Sequence, residues 1–374
     1  MSEERNLVDL PHRILEEAAQ AGVNVNESDT SGVFFHVDQK TIYSKVSSAF
    51  ENQIEMMDTM DALQKHPWLK DRMWTLVNKD QDVYTSEVAE SWSGGYTMLI
   101  KPGAKVTFPL QSCLMITTEN STQRVHNIII AGEDSESHIL TTCAQHHEAN
   151  VAAHLGVTEI WLEDNAKLTY TMVHHWSPET LVRPRTGVLV GSKSEFVSNY
   201  ICLTPAKDIQ MSPHATCVGI ESKAVFNNVL YVHPKSEMDI GSEVDLNAEG
   251  SVAELNSRAV TRAGSYLASR GTINGNSDGC RGHLECRGLL LDSESILEAI
   301  PILRSTRSGA ELSHEAAIGK LNEEEIIYLM SRGLRQDEAV GVLVRGFMDV
   351  STMGLSPAVQ EEIESIVDLV AGAS

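Results

Sequence analysis

The sequence predicts a mostly β protein, one long β-domain with helical segments on either side. Three observations carry this reading. Residues 83–312 alternate short β-prone stretches with Gly, Asn, Asp and Ser, and no amphipathic helix of ordinary length interrupts them. Residues 1–82 and 313–374 instead repeat apolar residues at helical spacing. Aromatic residues make up only 5% of the chain, which leaves few large rings for a wide sandwich core. Stacked β-solenoid rungs around a narrow interior fit that composition better, and a sandwich is the alternative the pattern leaves open.

In the N-terminal part, Pro11 can occupy a first helical turn, followed by Ile14, Leu15, Ala18 and Ala19 on one face. Residues 54–77 repeat the pattern with Met57, Met60, Leu63, Trp68, Leu69, Met73 and Val77, a packing stripe. The β-domain then reads as YTMLI, KVTFPL, HNIII, KLTYTMV, TGVLVG, AVFNNVLYV, EMDIG and EVDL, each bounded by turn residues. Gly241, Gly250, Gly264, Gly271, Gly275, Gly282 and Gly288 punctuate its second half without a strict motif. In the C-terminal part, Asn322 with Glu325 resembles a capping box, Leu321 and Ile326 are placed as a hydrophobic staple, and Gly333 is a natural stop. A second helix is expected over residues 336–349. A third should start near Ser356-Pro357 and carry Ile363, Val367 and Leu369.

The chain has 374 residues, with 29 basic against 52 acidic side chains and a net charge of −23. Such a surface repels phosphate backbones and anionic lipid, so neither nucleic acid nor a membrane is an expected partner. The first twenty residues are charged throughout and contain no apolar core of an export signal; no apolar run approaches the ~20 residues that span a bilayer. A cytoplasmic protein is therefore expected. The six cysteines, at 113, 143, 202, 217, 280 and 286, include no CxxC pair, and reduced thiols are the expectation.

Common catalytic signatures are missing. GVLVGSKS (187–194) lacks the G-K-[ST] of a phosphate-binding loop, and no GxSxG or HExxH occurs, so no nucleotide is expected to bind this chain. His146-His147 and His174-His175 would point to opposite faces of a strand and so would not chelate as pairs. The string Cys280, His283, Cys286 has the residue types of a zinc site. In a strand, however, its cysteines lie roughly 20 Å apart with His283 facing the other way.

Three stretches carry a resemblance to a known family. These are WSGGYTMLIKPGAKVTFPLQ (92–111), HLGVTEIWLEDNAKLTYTMVHHWSPE (154–179) and CRGLLLDSESILEAIPILRSTRSGAELSHEAAIGKLNEEEIIYLMSRGL (286–334), with a weaker match at KHPWLKDRMWTLV. In this order they resemble the SufB/SufD family of iron–sulfur cluster assembly scaffolds. The resemblance implies a right-handed parallel β-helix flanked by helices, with C-terminal helices that dock a SufC-like ABC ATPase. It implies a scaffold rather than an enzyme, with ATP hydrolysis on the partner, a sulfur donor, and a transient iron–sulfur cluster formed where two scaffold subunits meet.

Carried over by position, Cys286 matches the family's acceptor cysteine, and His314 and Glu315 match its His-Glu pair. Cys143 falls where a second cysteine is proposed for sulfur entry, a possible relay. Asn322, Ile326, Ile327, Tyr328, Arg332 and Gly333 fall in the ATPase-docking segment. One thiolate with an imidazole and a carboxylate is a weaker set than the four cysteines of a permanent cluster, and suits a cluster that must leave. Arg287-Gly288 after the cysteine and Arg335 before the second helix depart from the family pattern. The compact length resembles an archaeal-type scaffold that works as a homodimer. The alternatives are a SufD-like structural partner without its own cluster, and a β-helical carbohydrate-active enzyme.

Overall fold

The computed structural model describes residues 11–348 apart from 21–22 and 24–29, together with 360, 361 and 364. Two long sheets run through it, and they are the walls of a parallel β-helix of about eight turns. Sheet A runs β2 (Lys40–Val46), β1 (Gly32–Val37), β5 (Leu110–Ile116), β7 (Glu136–Gln145), β9 (Lys167–His175), β12 (Glu195–Cys202), β15 (Lys223–Val232), β18 (Val252–Thr261), β20 (Arg281–Leu290) and β22 (Glu311–Lys320).

Sheet B begins with β3 (Ile54–Asp58), β4 (Tyr96–Ile100), β6 (Ser121–Ala131) and β8 (Val151–Leu162), and ends with β19 (Tyr266–Gly275) and β21 (Ile296–Ser305). In the middle turns its strand is split in two: β10 (Glu179–Val182) and β11 (Arg185–Val190), β13 (Asp208–Met211) and β14 (His214–Cys217), β16 (Glu237–Ile240) and β17 (Glu243–Leu246). The breaks fall at Pro184, at Pro213 and at Gly241-Ser242; proline there has no N–H to give the ladder.

A left-handed residue recurs at one corner of successive turns: Asp134, Asn165, Lys193, Glu221, Gly250 and Gly279, with φ between 55° and 71°. Their numbers set the repeat at 28–31 residues. Because four of the six are not glycine, the period has no constant residue to announce it.

Alternation fixes what lies inside. Phe196, Tyr200 and Cys202 of β12, Phe226 and Leu230 of β15, and Leu284 and Cys286 of β20 point into one continuous buried core. The outer faces are covered locally. Helix α1 (His12–Gln20) buries Ile14 and Ala18 against Phe35, Cys113 and Met115. Helix α2 (Thr59–Lys65) and the 3₁₀ turn Pro67–Asp71 bring Ala62 and Leu69 onto Ile128, Ile130 and Trp161. Val88 of α3 (Val83–Ser91) packs with Leu155 and Val157. The fully buried Glu159 accepts backbone N–H bonds from Trp74 (2.6 Å), Leu76 (2.7 Å) and Val77 (3.2 Å) and lies 2.8 Å from His126 Nε2, which ties the segment after α2 to sheet B.

At the far end α4 (Glu323–Ser331) and α5 (Gln336–Phe347) fold back beside sheet A. Val344 of α5, with Met348 just after it, packs on Val229, Tyr231, Val260 and Leu289. Asn322 caps α4 through Glu324 N (2.9 Å). Gly333, with φ 100°, closes it with a Schellman pair, Gly333 N to Met330 O and Leu334 N to Leu329 O. Before α5, the Arg335 N–H donates to Glu338 at 2.7 Å, so the departure at Arg335 is compensated from inside the helix.

Three local expectations change. Residues 1–82 are not helical throughout: β1 and β2 form an antiparallel hairpin, with Asp38 at φ 53° in its turn, and β3 pairs antiparallel with β4. The stripe read from residue 54 is period two at its start, with Ile54 and Met56 facing the core, and α2 begins only after the Asp58 cap. Conversely, α3 occupies the first nine residues of the expected β-domain. Residues 313–320 belong to β22, because apolar Leu312, Ala316 and Ile318 alternate and pair in register with Gly282, Cys286 and Gly288. The third helix expected from Ser356-Pro357, with Ile363, Val367 and Leu369, lies outside the described residues apart from 360, 361 and 364.

Candidate functional site

Of the residues singled out in the sequence, Cys286, His314 and Glu315 lie on the last two strands of sheet A among the described residues. Strand β20 puts Cys286 on its inner face, 5% exposed, where its Sγ lies 3.8 Å from Ser269 Oγ of β19. Ser269 in turn donates to Ser257 at 3.0 Å, and Ser257 is the neighbour of Cys286 in the β18–β20 register. Burial pushes the Cys286 thiol above its ordinary value, and the Ser269 hydroxyl pulls the other way. The Ser269 hydroxyl is the hydrogen-bond partner of this thiol, and Ser257 accepts from it in turn.

The next strand, β22, closes sheet A among the described residues, and β21 closes sheet B. Leu284 pairs with His314, Glu285 with Glu315 and Cys286 with Ala316. His314 therefore shares the inner face with Cys286 as its diagonal neighbour, about 8 Å away between Cα atoms on the standard strand spacings. Glu315 faces the opposite side, next to Glu285, which is held by Arg287 at 2.5 Å. The structure brings Cys286 and His314 to one face and sends Glu315 to the other. Within one chain the three do not converge on a single iron.

Among the described residues, this end of the solenoid is uncovered. His314, Glu315 and Ala316 are exposed, Ile318 is 41% exposed and Ile296 54%, although Leu284, one turn below His314, is fully buried. Among the described residues, strands β21 and β22 present unpaired edges beside a partly apolar mouth.

The other cysteines lie elsewhere. Cys143, Cys202, Cys217 and Cys280 are buried in the core, Cys113 faces α1, and none of the six cysteines is in a disulfide. Cys143 is 2% exposed and burial pushes its thiol far up. It pairs in register with His174 on β9, five strand steps from β20, so roughly 24 Å separates it from Cys286. His283 faces outward to Ser313 at 2.9 Å. His174 is buried and His175 half-exposed on opposite faces of β9, as strand geometry requires. His146 and His147 follow the end of β7, and there the expected opposition fails: their rings stack at 4.4 Å.

Sequence reasoning missed the polar lining of the interior. His36, His154 and His174 are all at most 2% exposed, and burial lowers each pKa, that of His154 to about 3. Tyr96 Oη meets Thr141 at 3.1 Å and Tyr170 at 3.0 Å. Ser257 precedes Cys286 by 29 positions, one turn; the period would have pointed to it.

On α4, Ile327 (64%), Tyr328 (57%) and Met330 (43%) are exposed together, and Arg332 lies over the Tyr328 ring at 5.1 Å. Beside them a groove of about 1140 Å³ opens between α4, α5 and sheet A, lined by Arg262, Leu291, Leu321, Ile326 and Val340 among others. An apolar face of this kind on a short terminal helix is suited to protein contact.

Comparison with known proteins places the chain in a family. Residues 114–347 match the family described as SUF system FeS cluster assembly, SufBD core domain. A protein of Methanothermobacter thermautotrophicus (strain Winter), described as belonging to the iron–sulfur cluster assembly SufBD family, is 43% identical over 365 residues, 96% of this chain and 88% of its own length. One of Archaeoglobus fulgidus with the same description is 41% identical over 354 residues, 95% of this chain and 94% of its own. A Staphylococcus aureus relative is 25% identical over 371 residues, 97% of this chain and 79% of its own. With the solenoid and these matches together, the chain belongs to the SufBD family of iron–sulfur cluster assembly proteins.

Proposed function

We propose that the chain is a scaffold on which nascent iron–sulfur clusters are built and from which they pass to apo-proteins. The observation that carries the reading is the placement of Cys286 and His314 on one inner face of the last two turns, at an open mouth. Cys286 supplies the soft thiolate, as acceptor of sulfur and as cluster ligand, and His314 an imidazole. Sulfur arrives by exchange: the Cys286 thiolate attacks the outer sulfur of a donor persulfide and the donor leaves as thiolate.

Glu315, on the other face, reaches the same cluster only if a second chain contributes ligands. A second copy packed on the edges of β21 and β22 would provide them and cover the exposed Ile318, giving a homodimer. Cys143 enters the proposal as a sulfur relay, across the roughly 24 Å estimated above. The exposed face of α4, with Ile327, Tyr328 and Arg332 and with the ends set by Asn322 and Gly333, is the docking element for a SufC-like ABC ATPase. ATP hydrolysis belongs to that partner, and the setting is cytoplasmic.

The test is anaerobic reconstitution of the purified chain with ferrous iron and sulfide. The visible absorption of a cluster should form on the wild type and be lost in Cys286→Ala. Equal spectra would move the site elsewhere. No spectrum in either would favour a SufD-like structural partner.

A further inference from the structure

The outer face of sheet B carries a second group of metal-ligating side chains, well away from Cys286. His214 of β14 pairs in register with Glu243 of β17, and Asp245 lies two residues further along β17 on the same outward face. The inner neighbours Ala215, Val244 and Leu246 are in the core, so the outward assignment of the three follows from alternation. One nitrogen or oxygen from each of the three lies within 4.8 Å of the others. Two ligands at i and i+2 on one strand with a third on the adjacent strand form a three-cornered set with one side open. Rigid strands hold such a set better than loops do.

A layer behind the three donors supports them. Asn274 of β19 pairs with Asp245 in register, and its amide donates to Asp245 Oδ1 at 2.7 Å and to Glu243 Oε1 at 3.1 Å. Arg304 of β21, next in the ladder, reaches the Asn274 oxygen at 3.4 Å. Carboxylates that bind metal are themselves commonly oriented by hydrogen bonds of this kind. In the structure His214 Nε2 is 2.9 Å from Asp245 Oδ2. The side chains of His214 and Asp245 are 41% and 24% exposed, which leaves room for water to complete a coordination shell.

We propose that His214, Glu243 and Asp245 form a binding site for a first-row divalent metal ion, with Asn274 as its positioning residue. The donor set of one imidazole and two carboxylates, without thiolate, is suited to ions such as Mn²⁺, Fe²⁺ or Zn²⁺, and its two negative charges balance the cation. The site is independent of the cluster reading, since Cys286 takes no part in it.

The test uses the full chain carrying Cys286→Ala, titrated with Mn²⁺ and followed by electron paramagnetic resonance. One Mn²⁺ per chain is expected, with nitrogen coupling from a coordinated imidazole. Asp245→Asn should weaken binding at least ~10-fold, Asn274→Ala by about 10-fold, and His214→Gln should abolish the nitrogen coupling. Thermal unfolding without metal identifies any variant that has simply lost its fold, and the remaining variants then decide. No bound Mn²⁺ at millimolar concentration, affinity equal in wild type and folded variants, or bound Mn²⁺ without nitrogen coupling would each overturn the proposal.

Discussion

At Cys286 the thiol meets a hydroxyl that belongs to another strand, Ser269 of β19. Inside an apolar interior a thiolate is costly, and burial alone raises the pKa. Ser269 offsets this: its hydroxyl lies 3.8 Å from the sulfur and also donates to Ser257. Ser269→Ala should therefore raise the thiol pKa further and slow alkylation of Cys286 at pH 8 at least about threefold, read from the pH profile of the labelling rate. Cys143, deeper and without a comparable pair, should resist alkylation in the native state at the same pH. The sequence made Cys286 and His314 visible through flanking motifs, but the Ser257–Ser269 pair comes from two other strands with no motif of their own. The adjacency of His314 and Glu315 in sequence also misled: in a strand, neighbours point apart, and only the register with Leu284 and Glu285 shows which of them joins Cys286.

At the scale of elements, the best-read segments were those whose ends carry local chemistry. Asn322 and Gly333 bracket α4 because an N-cap side chain and a left-handed C′ glycine satisfy helix-end groups without help from the fold. Strands β1 to β3 were harder. Their alternation was masked by apolar residues on both faces, since Phe34 enters the core while Phe35 meets α1. The segment after α2 depends on tertiary contacts altogether. Glu159 satisfies three of its backbone N–H groups, and at Gly187 a Cβ would sit 2.6 Å from Leu76 O. Glu159→Ala leaves those groups and His126 without their partner and should cost about 3–5 kcal/mol, seen as a lowered denaturant midpoint with m unchanged. Gly187→Ala should also destabilise, by roughly 1–3 kcal/mol.

For the whole molecule, the interior histidines link stability to pH. His36, His154 and His174 are held neutral by burial, with folded pKa values below the ordinary 6.5. The unfolded chain thus binds protons that the folded chain refuses. The stability they leave intact above pH 6.5 is lost as pH falls below it, for His154 progressively down to about 3. Urea midpoints at pH 7.5, 6.5 and 5.5 should fall between the last two, by up to about 1.4 kcal/mol per histidine per pH unit; a flat response would contradict the buried neutral assignment.

The open end gives the second prediction at this scale. The chain should run at about twice its 41.0 kDa in light scattering, and Ile318→Glu should return it to the monomer. The solenoid itself was legible from scarce aromatics and frequent turns, but its 28–31-residue period was not. That period is kept by left-handed corners of mixed residue type, and by proline breaks in only two turns.

The central claim is that the cluster is cargo. A cluster should be assembled anaerobically on the wild-type chain, the free iron and sulfide removed, and an apo-ferredoxin added while circular dichroism in the visible range is followed. The account predicts that the ferredoxin signal grows as the scaffold signal falls, and that Cys286→Ala delivers nothing. A cluster that stays on the chain, or a variant that delivers as well as the wild type, would contradict it.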